Sequence, residues 1–156
     1  YFSTELINPV SPMYFDDKKR SISILSATSI LKILLPERQI NKKIYFSFEE
    51  FLNNLSDKNW IKFYIFWELS LVKELGFDIN LKDDFKHLNS KSDNVLINDR
   101  SFKVPQLIIG DAGKKISKND IKEALIFNKN LLLENFIFPN KISFPLSRNI
   151  LERYFN

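Results

Sequence analysis

One stretch of the first 35 residues places its apolar side chains at a mostly helical spacing. Asp16 and Asp17 precede this stretch, and Pro36, which cannot continue a helix, ends it. The pattern therefore predicts a buried or half-buried helix within residues 21–35. The apolar positions are Ile22, Leu25, Ile30, Ile33 and Leu34.

A second, short helix is indicated by the pattern Ser47-Phe48-Glu49-Glu50. In a capping box of this kind, the Ser47 hydroxyl and the Glu50 carboxylate satisfy free amide groups of the first helical turn. The apolar positions that follow predict a helix that ends near Leu55.

A third helix is predicted from about Asp57 to Leu75, and it carries two apolar stripes instead of one. Because two stripes leave few positions for water, we expect this helix at the centre of a bundle. Gly76 follows it and tolerates the left-handed backbone of a helix end. The first stripe consists of Trp60, Tyr64, Trp67, Leu71 and Leu75, and the second of Ile61, Ile65, Leu69 and Val72.

Residues 77–109 differ in composition from the rest of the chain, because they are rich in Asp, Asn and Ser. Two short apolar runs predict strands at residues 94–97 and 106–109. We interpret the region as an irregular connection with one hairpin.

Two further helices are predicted in the last third of the chain. Ser117 and Asp120 form a cap signal for a helix from about Lys118 to Phe136. Ser143, with Pro145 in the first turn, indicates the start of the last helix.

These elements predict a mainly α chain, a bundle of about five to six helices with a short irregular or hairpin insert near residues 82–109. At 156 residues, 44% of them hydrophobic, the chain is long enough to form one sizeable core.

Cysteine is absent, which excludes disulfides and thiolate metal sites and favours a cytoplasmic location. The longest apolar run is shorter than the roughly 20 residues that cross a bilayer.

The chain carries little of the chemistry that an enzyme needs. His87 is the only histidine, and Gly76, Gly110 and Gly113 cannot form a glycine-rich phosphate loop. Neighbouring carboxylates such as those of residues 83–84 point in different directions and do not converge on a substrate. We therefore expect no enzymatic activity, no metal and no cofactor.

Positive charge is concentrated in the last third of the chain. Lys114, Lys115, Lys118 and Lys122 cluster at one predicted helix start, although cations there oppose the helix dipole. Phosphate binding explains this placement, and loose selection on an exposed surface or A/T-rich codon usage explains it about as well. The candidate DNA-binding residues are Lys18, Lys19, Arg20, Lys114, Lys115, Lys118, Lys122, Arg148 and Arg153.

Glu68 lies within the third helix, where an unpaired buried carboxylate is costly. We therefore predict a cationic partner from another helix, with Arg38 and Arg148 as the candidates. The alternative is that Glu68 faces solvent along a narrow polar edge with Lys62.

The stretch WELSLVKELGFDINL, residues 67–81, closely resembles a signature of the RecO family of bacterial recombination mediators. Three other stretches are similar to family motifs and occur in the family's order. They are ELINPV (5–10), LPER (35–38) and FPLSRNIL (144–151). The resemblance extends from about Glu5 to Tyr154.

The resemblance implies a fold and a function. Family members have an N-terminal OB-fold barrel followed by a helical domain, so residues 1–156 are expected to form that single helical domain, as a fragment without the barrel. The family acts without chemistry: it binds single- and double-stranded DNA, anneals strands, docks the acidic C-terminal tail of single-stranded-DNA-binding protein, and loads recombinase with RecR. A cytoplasmic, nucleoid-associated location follows. The alternative is a helical protein-interaction module that does not itself bind DNA.

The chain departs from the family pattern in two places. Many members carry a four-cysteine zinc knuckle after the signature, whereas the insert at residues 82–109 has none, so zinc is not expected. Many also carry Arg directly before the signature, whereas Ile65 and Phe66 stand there. A tail that ends in acids and Phe needs an apolar slot and a cation. The candidate groove residues are Lys62, Phe63 and Phe66, and core packing is the alternative role for either aromatic side chain.

Overall fold

A computed structural model of the chain describes residues 14–35, 41–76, 94–110 and 114–156. Several features of the sequence analysis lie outside these ranges. They are the ELINPV stretch, most of LPER with Arg38, and residues 77–93, which include His87 and the first part of the insert at residues 82–109.

Three helices form in the first half of the chain. Helix α1 spans Lys18–Leu34, α2 spans Lys42–Asn53, and α3 spans Trp60–Glu74. The Asp17 carboxylate caps α1 by accepting a hydrogen bond from the Arg20 amide at 3.0 Å.

The predicted start of α2 is wrong. The helix begins five residues before Ser47, and the Asn41 side chain caps it by accepting hydrogen bonds from the amides of Lys43 and Ile44. Asparagine caps a helix as well as serine does, and a serine inside a helix bonds back to a carbonyl of the preceding turn. Accordingly, the Ser47 hydroxyl donates to the Ile44 carbonyl at 2.9 Å.

Helix α3 is buried along both predicted stripes, with Leu75 only partly covered at its end. It packs against α2 on one side and against α5 (Lys118–Leu132) on another. Gly76 follows it with a φ of 93°, so the predicted left-handed helix end is confirmed. The central position expected for α3 follows from this burial.

A two-stranded antiparallel hairpin follows in the described chain, formed by β1 (Asn94–Ile97) and β2 (Arg100–Lys103). Its turn residues Asn98 and Asp99 both have positive φ, as the tightest hairpin turns require. The strand predicted at residues 106–109 is wrong, because this segment forms one helical turn, α4 (Gln106–Ile109). A two-residue turn lets β1 pair with the nearer segment instead.

The hairpin is fixed to the end of α5. There the helix widens into a π-helical segment, Leu133–Ile137, and continues as one α-helical turn, α6 (Phe138–Asn140). Glu134 of the π-helical segment accepts a hydrogen bond from Arg100 at 2.5 Å, and its backbone carbonyl accepts from Asn98 at 3.0 Å.

The sequence predicted the start of α5 correctly but the start of the last helix wrongly. At α5 the capping box is confirmed, with Ser117 and Asp120 exchanging hydrogen bonds of 2.9 and 3.1 Å. The last helix, α7 (Leu146–Arg153), begins after Pro145 without a side-chain cap, so the predicted role of Ser143 is wrong. Pro145 itself occupies the N-cap position, with an extended backbone, so Ser143 lies two residues too early to cap the helix.

The mainly α fold is thus confirmed. Helix α7 packs along α1, α3 packs against α2 and α5, and the hairpin is the only sheet in the described residues. Within the same ranges, no helix has the length and the apolar character that crossing a membrane requires.

Candidate functional site

Glu68 and Arg148 form a buried ion pair at the centre of the bundle. The Arg148 guanidinium donates to both Glu68 carboxylate oxygens, at 2.7 Å through Nε and at 3.1 Å through Nη2. Both side chains are fully buried. Of the two candidate partners, the structure therefore places Arg148 against Glu68, whereas Arg38 lies outside the described residues.

The pair belongs to a network that joins four helices. The Tyr64 hydroxyl donates to Glu68 at 3.0 Å and shares a hydrogen bond of 2.7 Å with Ser26 of α1. Asn128 of α5 donates to Glu68 at 3.2 Å, and Arg148 of α7 also donates to a carbonyl of α5 at 2.8 Å. The polar centre therefore fixes the relative positions of α1, α3, α5 and α7.

Burial and charge shift two pKa values in this network. Burial is the main reason that the pKa of the Tyr64 hydroxyl lies well above its ordinary value, and the Glu68 carboxylate raises it further. Burial opposes the charge of Arg148, but Glu68, Tyr64 and Glu152 together outweigh that effect, so the pKa of Arg148 is raised. Both groups therefore keep their protons at neutral pH.

The burial of Arg148 corrects its assignment as a DNA contact. Its side chain has no exposed surface, so its guanidinium cannot meet a phosphate at the surface of the bundle. The sequence placed Arg148 in both roles, as a DNA contact and as a partner of Glu68, and only the second agrees with its position.

The lysine cluster at the start of α5 lies at the surface. Lys114, Lys115 and Lys118 are exposed, and Lys122 is half-buried one turn further along. The capping box satisfies the first turn of α5 without them, and its hydrogen bonds from Ser117 lower the pKa of Asp120. The lysines therefore have no capping role in the described structure.

The other predicted DNA contacts lie near the start of α1. Lys18 and Lys19 are exposed, and the Lys19 ammonium stands 5.4 Å from the ring centroid of Phe155, two residues after the exposed Arg153. Arg20 is different, because its guanidinium is held by the Asp17 carboxylate at 2.6 Å and by the carbonyl of Leu55 at 2.6 Å. It anchors the connection between α2 and α3.

Two of the three candidate tail-groove residues, Phe63 and Phe66, line a shallow depression of about 80 Å³ between α2 and α3. Phe66 is 37% exposed, and the Lys62 ammonium lies 5.9 Å from its ring centroid. Phe63 is half-buried beside them, so the three candidate residues are neighbours. The lining consists of Ser47, Glu50, Phe51, Phe63, Phe66, Trp67 and Ser70.

Sequence reasoning missed two features of this groove. The indole N–H of Trp67 is buried at the groove without a hydrogen-bond partner. Lys73 is exposed two turns after Phe66 and so belongs to the same face of α3 as Lys62. The seven-residue spacing of Lys73 from Phe66 was a usable signal, whereas the lack of an acceptor for Trp67 depends on tertiary packing and gave none.

A larger groove of about 290 Å³ was not predicted at all. It lies between the hairpin and α5, where Phe102 and Phe127 provide apolar surface and Lys103 and Glu123 provide charge. In the part of the chain that the structure describes, no group of His, Cys, Asp and Glu side chains could hold a metal ion.

Comparison with known proteins identifies relatives over most of the chain. A DNA repair protein RecO of Ehrlichia chaffeensis is 30% identical, with the match covering 99% of this chain and 62% of that protein. A protein of the same name from Rickettsia canadensis is 25% identical over 87% of this chain and 62% of its own length. One from Wolbachia sp. subsp. Drosophila simulans is 35% identical over 52% of this chain and 35% of its own length.

The chain thus spans less than two thirds of the length of these relatives. No solved structure matches it. The family model described as Recombination protein O C terminal matches residues 16–119, which include α1, α2, α3 and the hairpin. The chain therefore belongs to the RecO family of DNA repair and recombination proteins, and it matches the C-terminal part of that family.

Proposed function

We propose that this chain is a DNA-binding and partner-docking part of a recombination mediator, and that it acts without catalytic chemistry. It binds single- and double-stranded DNA through phosphate contacts, supports strand annealing, and docks single-stranded-DNA-binding protein and RecR during recombinase loading. It works in the cytoplasm on nucleoid DNA. Membership of a DNA repair family supports this role in general terms.

The lysine cluster at the start of α5 is the observation that carries DNA binding. Lys114, Lys115 and Lys118 expose three ammonium groups beside a helix end whose dipole repels them. The first turn is already capped by Ser117 and Asp120, so helix stability does not account for the lysines. Contact with phosphates accounts for them, because such contacts are independent of base sequence and reward any dense positive surface.

The test is the affinity of the chain for a labelled single-stranded oligonucleotide, measured by fluorescence anisotropy at low salt. An α5 variant replaces the three exposed lysines of the cluster: Lys114→Gln, Lys115→Gln and Lys118→Gln. A control variant with the same net charge replaces exposed lysines elsewhere in the chain: Lys32→Gln, Lys58→Gln and Lys141→Gln.

We expect the α5 variant to bind roughly tenfold more weakly, because each lost phosphate contact reduces the number of counterions that are released on binding. The control variant should stay close to the wild type. Equal losses of affinity in both variants would mean that net charge, and not the position of the lysines, determines DNA binding. Equal affinity of all three proteins would contradict phosphate binding at α5.

A second function, docking of an acidic tail that ends in Phe, is favoured by the groove between α2 and α3. Phe66 presents an exposed ring, and Lys62 and Lys73 supply cations on the same face of α3. Glu50 also lines the groove, so the acidic residues of the tail must lie towards the lysines.

Calorimetric titration with a peptide of acidic residues ending in Phe tests this docking. Phe66→Ala and Lys62→Gln should each weaken binding several-fold, since one removes the apolar contact and the other a charge. The same peptide without its final Phe is the matched control. Peptide binding without any DNA binding would favour the alternative, a protein-interaction module.

A further inference from the structure

An exposed aromatic pair lies at the start of α2, away from the lysine cluster of α5. Tyr45 and Phe46 are 51% and 62% exposed, and their rings meet edge to face with centroids 6.0 Å apart. The other rings of α2, Phe48 and Phe51, pack into the core. Aromatic side chains stabilise a fold by burying their rings, so two adjacent rings exposed to water contribute little to the stability of the fold.

Charge around the aromatic pair is divided along the helix. Lys42 and Lys43 are exposed in the turn before Phe46, four and three residues away, so they lie beside its ring. Glu49 and Glu50 are exposed in the turn after it. A polyanion is therefore attracted to the first half of α2 and repelled from the second half.

We propose that Tyr45 and Phe46 form a stacking platform for unpaired bases of a single-stranded nucleic acid, and that Lys42 and Lys43 contact phosphates of the same strand. This inference rests on the proposed DNA-binding function and adds a second contact surface to it. Stacking of bases on aromatic rings is tolerant of sequence, because every base has a π face. A duplex hides those faces, so the platform distinguishes single strands from double strands.

The acidic second half of α2 determines how the strand lies. A strand that ran along the helix axis would bring its phosphates against Glu49 and Glu50, whereas one that crosses the first turns meets only the lysines. We therefore infer a crossing path over the aromatic pair. An acidic peptide would satisfy the lysines but would not use two ring faces.

The test compares two oligomers of equal length and charge, an oligothymidylate and one in which abasic sugars replace the nucleosides. The variant Tyr45→Ser/Phe46→Ser should lose roughly tenfold in affinity for the oligothymidylate, because stacking is lost, and nothing for the abasic oligomer. Tyr45→Phe keeps the ring and should bind as the wild type does. Its thermal midpoint and that of the double variant should remain unchanged, since both side chains are exposed.

The phosphate contacts of Lys42 and Lys43 are tested by the salt dependence of binding. Lys42→Gln/Lys43→Gln should weaken binding to both oligomers and reduce the slope of log affinity against log salt by about 1.4, the value for two single-strand phosphate contacts.

The possible outcomes separate this platform from the proposed function. Wild-type affinity of the double serine variant for the oligothymidylate would overturn the platform and leave the lysine cluster of α5 intact. An equal loss on the abasic oligomer would overturn stacking, and a loss confined to an acidic Phe-ended peptide would assign the surface to a protein. Failure of the wild type to bind either oligomer would overturn both the platform and the proposed function.

Discussion

Glu68 and Arg148 place opposite charges among the apolar side chains of the core. Removing each charge from water is unfavourable, and the pair is tolerated because two hydrogen bonds join the side chains and because Tyr64, Asn128 and a carbonyl of α5 add further hydrogen bonds. The remaining Arg148 nitrogen, Nη1, has no hydrogen bond but lies 3.7 Å from the Glu152 carboxylate. The sequence predicted a partner for Glu68 but left open a solvent-facing edge shared with Lys62, and the complete burial of Glu68 excludes that alternative. The choice of partner was not, because it depends on which helix packs over α3.

The first prediction concerns the stability of this pair. Glu68→Gln and Arg148→Met should each lower the free energy of unfolding by about 3 to 5 kcal/mol, because each leaves an unpaired buried group. The double variant should lose less than the sum of the two single losses. Urea unfolding measures all three. An additive result, or no loss on Glu68→Gln, would contradict a buried pair.

Tyr64 gives a prediction for high pH. Burial and the Glu68 carboxylate raise the pKa of its hydroxyl in the folded state, whereas in the unfolded chain it titrates near the ordinary value of about 10. Above that pH the unfolded state releases a proton that the folded state retains, so the stability contributed by this group is full below about pH 10 and declines as pH rises.

Denaturant unfolding over a series of alkaline pH values tests this. The free energy of unfolding of the wild type should fall more steeply above about pH 10 than that of Tyr64→Phe, which has no hydroxyl to titrate. Identical pH profiles for the two proteins would contradict a buried, protonated Tyr64.

At the scale of elements, the start of α5 carries two kinds of charge with different effects. The Ser117–Asp120 capping box satisfies the free amides and complements the helix dipole, whereas the exposed lysines beside it oppose the dipole. Phosphate binding and helix stability therefore favour different residues at the same turn.

This opposition predicts that the α5 variant is at least as stable as the wild type. Neutralising Lys114, Lys115 and Lys118 removes charge that opposes the helix dipole, an effect only partly offset by losing the attraction between Lys114 and Asp120, and should raise the free energy of unfolding by up to about 1 kcal/mol. Thermal unfolding at low salt measures the change. A marked loss of stability would mean that the lysines have a structural role, and weakened DNA binding could then not be attributed to lost contacts.

The elements also differ in how far the sequence determined them. The course of α3, its glycine end, the cap of α5 and the strand at residues 94–97 follow from local patterns that the tertiary structure preserves. The start of α2 was missed because Asn41 competes with Ser47 as a cap. The segment at residues 106–109 was mistaken for a strand because a short apolar run has no period that separates strand from helix.

The candidate sites were predictable to a smaller extent. Exposure of the lysines before α5 followed from their polarity, but the burial of Arg148 depends on the packing of α7 against the centre of the bundle. The proximity of Lys62 to Phe66 follows from their four-residue spacing on α3, whereas the groove itself depends on how α2 packs against α3. The aromatic pair of α2 was hidden because Tyr45 and Phe46 resemble core residues in any sequence pattern.

At the scale of the whole molecule, one polar network holds α1, α3, α5 and α7 together, and the candidate binding surfaces lie on the outside of that bundle. The lysine cluster lies at the start of α5 and the aromatic pair at the start of α2, whereas the groove between α2 and α3 shares α2 with the aromatic pair but is lined by other residues. The molecule can therefore lose one surface by substitution and keep its fold and the other surfaces, which makes each proposal separately testable.

The central claim is that this RecO family chain binds DNA through phosphate contacts at α5. The most direct test is the affinity for a single-stranded oligonucleotide over a series of salt concentrations, for the wild type and the α5 variant. The wild type should lose affinity steeply as salt rises, and the slope of log affinity against log salt should be shallower by about 2 in the variant, the value for three phosphate contacts. Wild-type binding that does not depend on salt, or equal slopes for the two proteins, would contradict the claim.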